Sequence, residues 1–217
     1  MIRILLVEDH HIVRKGLETL LKQERDFDVI GEAVNGLEAV SFATKHKPDV
    51  VVLDINMPLL NGLQAAQQIF ENSPKTRIII LSQYSERPMI RQAFRIGIHG
   101  YLLKESLAVE LPLAIRTAYQ GQTYISPTIS GFLLDEIVHG KRIDDAKNPQ
   151  NVLSDREYQI MQLIAEGHST NDIAEILTLS PKTVGNHRTS LMNKLNVHSV
   201  AEVVRLAIKY GMVLLDP

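Results

Sequence analysis

Five polar side chains in the first half of the sequence stand where apolar runs stop. Glu8 and Asp9 follow IRILLV, Asp54 ends DVVVLD, Ser82 ends RIIILS and Lys104 ends GYLLK. Three carboxylates brought together repel, so either their pKa values rise or a hard cation sits among them. Magnesium suits such a set, taking one or two carboxylates and keeping several waters. The Lys104 ammonium could pair with Asp54 or with a phosphoryl oxygen, and the Ser82 hydroxyl is a donor. Metal, lysine and hydroxyl around one carboxylate make a phosphoryl site with Asp54 as nucleophile. Taken singly, each residue has a plainer reading as a helix cap, a turn residue or a surface lysine. The joint pattern carries the argument, because every polar residue falls at the same end of a different strand. His10 and His11 adjoin the acids and are read as solvent-facing residues at a helix start, since an all-oxygen site does not need them.

A second set lies in SPKTVGNHRTSLMNKL, residues 180–195. Val184, Leu191 and Leu195 share one stripe of a helix, with His187 beside it, read as a packing residue with base contact as the alternative. The other faces carry Lys182, Thr183, Asn186, Arg188, Thr189 and Lys194, and the helix holds no acid. Lysine and arginine would hold phosphates, while asparagine and threonine could touch base edges in a major groove. The alternative is a solvated polar face. The whole segment 152–217 is near neutral, so the positive charge is concentrated on this one helix.

These residues need elements to position them. Apolar runs at 2–7, 27–34, 49–54, 77–82 and 100–104 alternate with helix-period stretches at 10–23, 36–46, 62–72, 87–96 and 107–120. In 10–23 the expected stripe is Ile12, Val13, Leu17, Leu20 and Leu21. Five alternations of strand and helix predict a five-stranded doubly wound parallel sheet covered on both faces, with ligands at the carboxyl ends of its strands. Residues 126–140 read as one helix with Ser126 as N-cap, Pro127 in the first turn and Gly140 as stop. Residues 141–151 are polar and read as a tether. From 152 to 217 four helices are predicted. Ser154/Glu157 and Ser199/Glu202 form capping boxes, Ser180 and Pro181 start the third helix, and Gly167 and Gly211 act as stops. The short helices at 169–179 and 180–195 make a helix-turn-helix. The expected division is therefore 1–122, a linker at 123–151, and a small all-α domain at 152–217.

Composition bounds the function. A length of 217 residues favours two domains. The net charge of −2 excludes a general polycation, and the lack of cysteine excludes a disulfide framework or a thiolate zinc site. No window approaches the roughly 18 uncharged apolar residues of a membrane span, and no signal-peptide pattern opens the sequence, so the expected location is the cytoplasm.

LLVEDH, VVLDINMPLLNG, IIILS and GYLLK resemble the flavodoxin-like receiver domain of two-component response regulators over residues 1 to about 122. The resemblance implies Asp54 as phosphoacceptor for a histidine kinase's phosphohistidine. It implies Mg2+ held by Glu8, Asp9, Asp54 and the backbone carbonyl of Asn56, with Ser82 and Lys104 on the phosphoryl group. Tyr101 falls at the family's aromatic switch position, the alternative being a strand aromatic with a packing role. LSDREYQIMQLIAEG, IAEILTLSPKTV, NHRTSLMNKLNV and AEVVRLA resemble the LuxR-type helix-turn-helix of the NarL/FixJ regulators over about 150–212. This implies binding to double-stranded DNA as a homodimer on activation, the last helix pairing through Val200, Val203, Val204 and Ala207. That apolar surface could instead pack wholly within its own domain. Three departures stand out: Gln83 where a small residue is usual, Gly185 where a basic one is usual, and Val200 where an arginine is usual. Haloacid-dehalogenase phosphatases, which also form an aspartyl phosphate, carry a second acid two residues after the nucleophile. Here that place is Asn56, so a turnover enzyme is not expected. The intact acids and lysine also argue against a receiver that works without phosphorylation, and the Ser180-Pro181 start of a basic helix favours DNA over protein or RNA.

Overall fold

The computed structural model describes residues 1–83, 87–131, 149–210 and 212–213. The chain divides into two compact units, Met1–Gly140 and Lys141–Pro217. The first unit runs β1 (Ile2–Val7), α1 (His11–Lys22), β2 (Phe27–Ala33), α2 (Gly36–His46), β3 (Val50–Asp54), α3 (Gly62–Asn72), β4 (Arg77–Ser82), α4 (Arg87–Ile96), β5 (Gly100–Leu103), a 3-10 turn at Lys104–Ser106, α5 (Leu107–Tyr119) and β6 (Tyr124–Ile125).

All strand pairs are parallel, in the order β2-β1-β3-β4-β5-β6. Strands built from valine, isoleucine and leucine with both faces covered need no polar alternation, and every residue of β3 is buried. Successive side chains enter opposite cores. Leu5, Val7, Val51, Leu53, Ile78 and Ile80 face one core with residues of α2 and α3. Ile4, Leu6, Val50, Val52, Ile79 and Leu81 face the other with residues of α1 and α5. The chain order reverses between β1 and β3, so the carboxyl ends of those strands border the crevice where such sheets take ligands.

Two expectations change here. The sheet has six strands, not five. Tyr124–Ile125 pairs with β5 through Gly100↔Tyr124 and Tyr101↔Ile125, an element too short to leave a periodic signature. Ile12 is 86% exposed. The buried side of α1 is Arg14, Leu17 and Leu21, at i, i+3 and i+7, which leaves Ile12 on the outer face. The Ser126 side chain donates to Glu110 Oε1 at 3.2 Å, while its carbonyl accepts from Ile129 and Ser130 as the helix at 127–131 begins. The remainder of that helix with Gly140, most of the tether, and Gly211 lie outside the described residues.

The second unit holds α6 (Pro149–Val152), α7 (Asp155–Ala165), α8 (Thr170–Ile176), α9 (Pro181–Leu195) and α10 (Val200–Lys209). The single turn α6 falls where the sequence reads as tether, so among the described residues five helical segments stand where four were expected. Both bonds of the Ser154/Glu157 capping box form, and Ser169/Asp172 makes another. At α10 Ser199 accepts from the Glu202 N–H, but the Glu202 carboxylate takes the His198 N–H, leaving the box half formed. Ile160, Met161, Leu163, Ile173, Val184, Leu191, Val203 and Ala207 are buried in this unit.

Candidate functional site

The register of the sheet raises the polar residues in a staircase. Val7 pairs with Leu53, Asp54 with Leu81, and Ser82 with Leu103. Glu8, Asp54, Ser82 and Lys104 therefore follow one another across four neighbouring strand ends. Two glycines let the loop after β3 lie close against this edge. A Cβ at Gly62 would collide with the Asp54 carbonyl oxygen, and one at Gly36 with the Leu60 carbonyl. The Gly62 N–H donates to Ile55 O at 2.8 Å, and Asn61 caps α3 by accepting from the Gln64 N–H. The Asn-Gly pair thus folds the loop back onto the residue it follows.

Asp54 is 1% exposed and Glu8 fully buried. Lys104 Nζ joins them, 2.9 Å from Asp54 Oδ2 and 2.7 Å from Glu8 Oε2. Among the described residues Asp54 Oδ1 is buried with no hydrogen-bond partner. Burial raises the Asp54 carboxyl to about 6; Lys104 opposes this and Glu8 adds to it. Burial also works against the Lys104 ammonium, but Asp54 and Glu8 outweigh it and its pKa is raised. The ligand atoms of Glu8, Asp9 and His10 lie within 4.8 Å of one another. His10 Nδ1 is 2.8 Å from Asp9 Oδ1 and 3.3 Å from Glu8 Oε1. Its pKa is raised, chiefly by Asp9. Asp54 is not part of that group; it is tied to Glu8 through Lys104.

In the second unit α8 and α9 form the helix-turn-helix. Lys182, Asn186, Thr189 and Asn193 are exposed at i, i+4, i+7 and i+11, one continuous row along α9. The opposite side buries Val184 and Leu191. Two polar clamps flank the row. Arg188 Nη1 donates to Thr170 Oγ1 at 2.6 Å. Glu157 accepts from Ser190 Oγ and Lys194 Nζ, both at 2.6 Å.

The response regulator receiver domain family matches residues 4–116, and the LuxR family of bacterial regulatory proteins matches residues 151–207. The oxygen regulatory protein NreC of Staphylococcus epidermidis is 38% identical over 95% of this chain and 97% of its own. Response regulator UvrY of Escherichia coli K12 is 37% identical over 98% and 96%. The solved structure of RcsB from Salmonella typhimurium, described for its conformational dynamism in DNA interaction, superposes with a TM-score of 0.59 at 25% identity, covering 94% and 96%. The chain belongs to the two-component response regulators. It is of the NarL/FixJ type, with a LuxR-type DNA-binding domain, and the family is a regulator rather than a turnover enzyme.

In this response regulator Lys104 bridges Glu8 and Asp54, and Asp9 keeps company with His10. Ser82 is fully buried at the next strand end. Tyr101 is fully buried, paired opposite Ile80 in the core. Gln83 is exposed, and Asn56 is half-buried in the loop after β3. Lys182 and Lys194 are both exposed on α9, and the Lys194 ammonium is also engaged by the buried Glu157 carboxylate of its own domain. Val203 and Ala207 are a correction. Both are fully buried, because they repeat at i and i+4 on the side of α10 that packs inward. Val200, 44% exposed, and half-buried Val204 are what remains of the expected pairing surface.

Three residues escaped the sequence reading. Arg14 is buried and donates to the Glu8 carbonyl at 2.7 Å and to Glu32 Oε2 at 2.8 Å, holding the end of β1; its phase with Leu17 and Leu21 was the available signal. Asn193 completes the exposed row of α9, and its spacing from Asn186 and Thr189 would have found it. Glu157 looked like a cap alone.

Proposed function

We propose that Asp54 accepts a phosphoryl group from the phosphohistidine of a partner histidine kinase. The observation that carries this reading is Asp54 itself, with one oxygen on Lys104 and the other buried without a partner among the described residues. In the transfer an Asp54 oxygen forms the O–P bond while the N–P bond breaks, and the histidine nitrogen keeps the electron pair. Lys104 balances the carboxylate and then a phosphoryl oxygen, and the Ser82 hydroxyl donates to another. The orphaned Asp54 oxygen and the all-oxygen donors Glu8, Asp9, Asp54 and the Asn56 carbonyl suit a hard dication. Mg2+ held there supplies charge neutralisation for the phosphoryl oxygens.

The chemical change shifts Ser82 and Tyr101 between two arrangements and favours a homodimer. The dimer binds double-stranded DNA at paired half-sites through Lys182, Thr183, Asn186, Arg188 and Thr189 of α9, with Val200 and Val204 on the pairing surface. In this reading the first unit, with its sheet completed by Tyr124–Ile125, carries the phosphoryl chemistry and the second reads DNA, in the cytoplasm. Slow autodephosphorylation ends the signal, with Gln83 shielding the phosphoryl group; phosphate release from wild type and Gln83→Ala compares the two directly. The deciding experiment is selection of DNA from a random duplex pool with and without phosphorylation. Enrichment that grows on phosphorylation of wild type and stays unchanged in Asp54→Asn is expected. Equal enrichment in all four samples rejects the switch.

A further inference from the structure

Glu157 belongs to α7, outside the helix-turn-helix, yet its carboxylate collects four donors. Oε2 takes the Ser154 N–H at 2.8 Å, Ser154 Oγ at 3.0 Å and Lys194 Nζ at 2.6 Å, and Oε1 takes Ser190 Oγ at 2.6 Å. Its side chain is 5% exposed. Burial alone would raise its pKa, but the bonds from Lys194, Ser190 and Ser154 overcome this and hold it at about 2. A buried carboxylate with every donor aligned is directional in a way that apolar packing is not.

That direction matters for α9. Val184 and Leu191 are its fully buried apolar side chains, two turns apart on one stripe, and such a stripe tolerates small rotations of the helix about its axis. Ser190 and Lys194 lie at i and i+4 on one flank of the exposed row, and Arg188, bonded to Thr170, on the other. Rolling the helix in either direction breaks a clamp. We propose that Glu157 is a positioning residue for sequence recognition: it fixes the rotation of α9 and so decides which of Lys182, Asn186, Thr189 and Asn193 faces the base edges. Lys194 is then an internal counter-ion, not a phosphate contact. The inference rests on α9 being the DNA-reading helix, as proposed above.

The test uses the full-length chain and two duplexes, one recovered from a random pool by wild type and one of unselected sequence. Each is titrated with wild type, Glu157→Gln, Lys194→Met and the double variant, at a temperature where thermal melts show all four folded. The expected result is a fall in the affinity ratio between the duplexes of about tenfold, the discrimination of one good base contact. It occurs in both single variants with no further loss in the double, while affinity for the unselected duplex holds. Lys194→Arg, which keeps the charge, should restore the ratio. Two outcomes overturn the proposal. Lowered melting with an unchanged ratio makes Glu157 a stabiliser only. Equal loss on both duplexes in Lys194→Met, with a shallower salt dependence, makes Lys194 a phosphate contact. If wild type enriches no sequence at all, the reading of α9 fails first and the positioning role with it.

Discussion

At the scale of single residues, burial gives Asp54 an energetic cost. A carboxyl whose folded pKa is about 6 against an ordinary 3.8 binds its proton more tightly in the folded state. The folded protein is therefore favoured below the unfolded pKa, and that advantage is lost as pH rises through 3.8 to about 6. Removing the charge should recover it. Asp54→Asn is expected to be more stable than wild type at pH 7 by roughly 1–3 kcal/mol, the difference closing in metal-free melts near pH 4. Equal stability at both pH values would mean that Lys104 fully compensates the buried charge. Gly62 offers the converse case. A Cβ there meets the Asp54 carbonyl, so Gly62→Ala should cost roughly 1–3 kcal/mol in urea unfolding and slow phosphoryl uptake. Much of this site was legible in the sequence, because a charge terminating a fully apolar strand contradicts its surroundings. Arg14 and Glu157 were not legible. A charged residue within an amphipathic helix looks solvated, and only the fold shows which ones turn inward to find partners.

At the scale of elements, boundaries followed from local chemistry: Asn35, Asn61, Ser154, Ser169, Ser180 and Ser199 each cap the helix that follows. What local chemistry could not supply is rotation. Ile12 was assigned to the buried side of α1 because it is apolar, but Arg14, with a carbonyl to bond, holds that side. Val203 and Ala207 were assigned to a partner, but they fill their own core. The same logic makes Gly185 informative. A Cβ at that position meets nothing within 4 Å, and its backbone is helical. Gly185→Ala should therefore stabilise the domain by roughly 0.5–1 kcal/mol in thermal melts. Gly185→Lys should strengthen binding to unselected DNA and steepen its salt dependence by about one counter-ion. A salt titration with unchanged slope would place residue 185 away from the phosphates.

For the whole molecule, two compact units and two family matches give the plan of a regulator, and the pairing surface proposed for α10 can be tested directly. Val200→Asp should leave the melt within about 0.5 kcal/mol yet weaken binding to a duplex carrying two half-sites more than to one carrying a single half-site. Val203→Asp places a charge in the core and should unfold the second unit, seen as lost helical signal; a folded Val203→Asp variant would contradict the burial. The outline of both units was readable from alternation and caps, whereas the sixth strand was not, since two residues carry no period. That strand has a practical consequence. Tyr124 and Ile125 cover the outer edge of β5, Ser126 N–H bonds the Tyr101 carbonyl, and Ile129 is fully buried in the sheet's core. A fragment cut after residue 122 would bare an unpaired edge and leave a hole where Ile129 sat, inviting edge-to-edge aggregation. A fragment that runs through residue 131 should stay monodisperse in light scattering where the shorter one clumps.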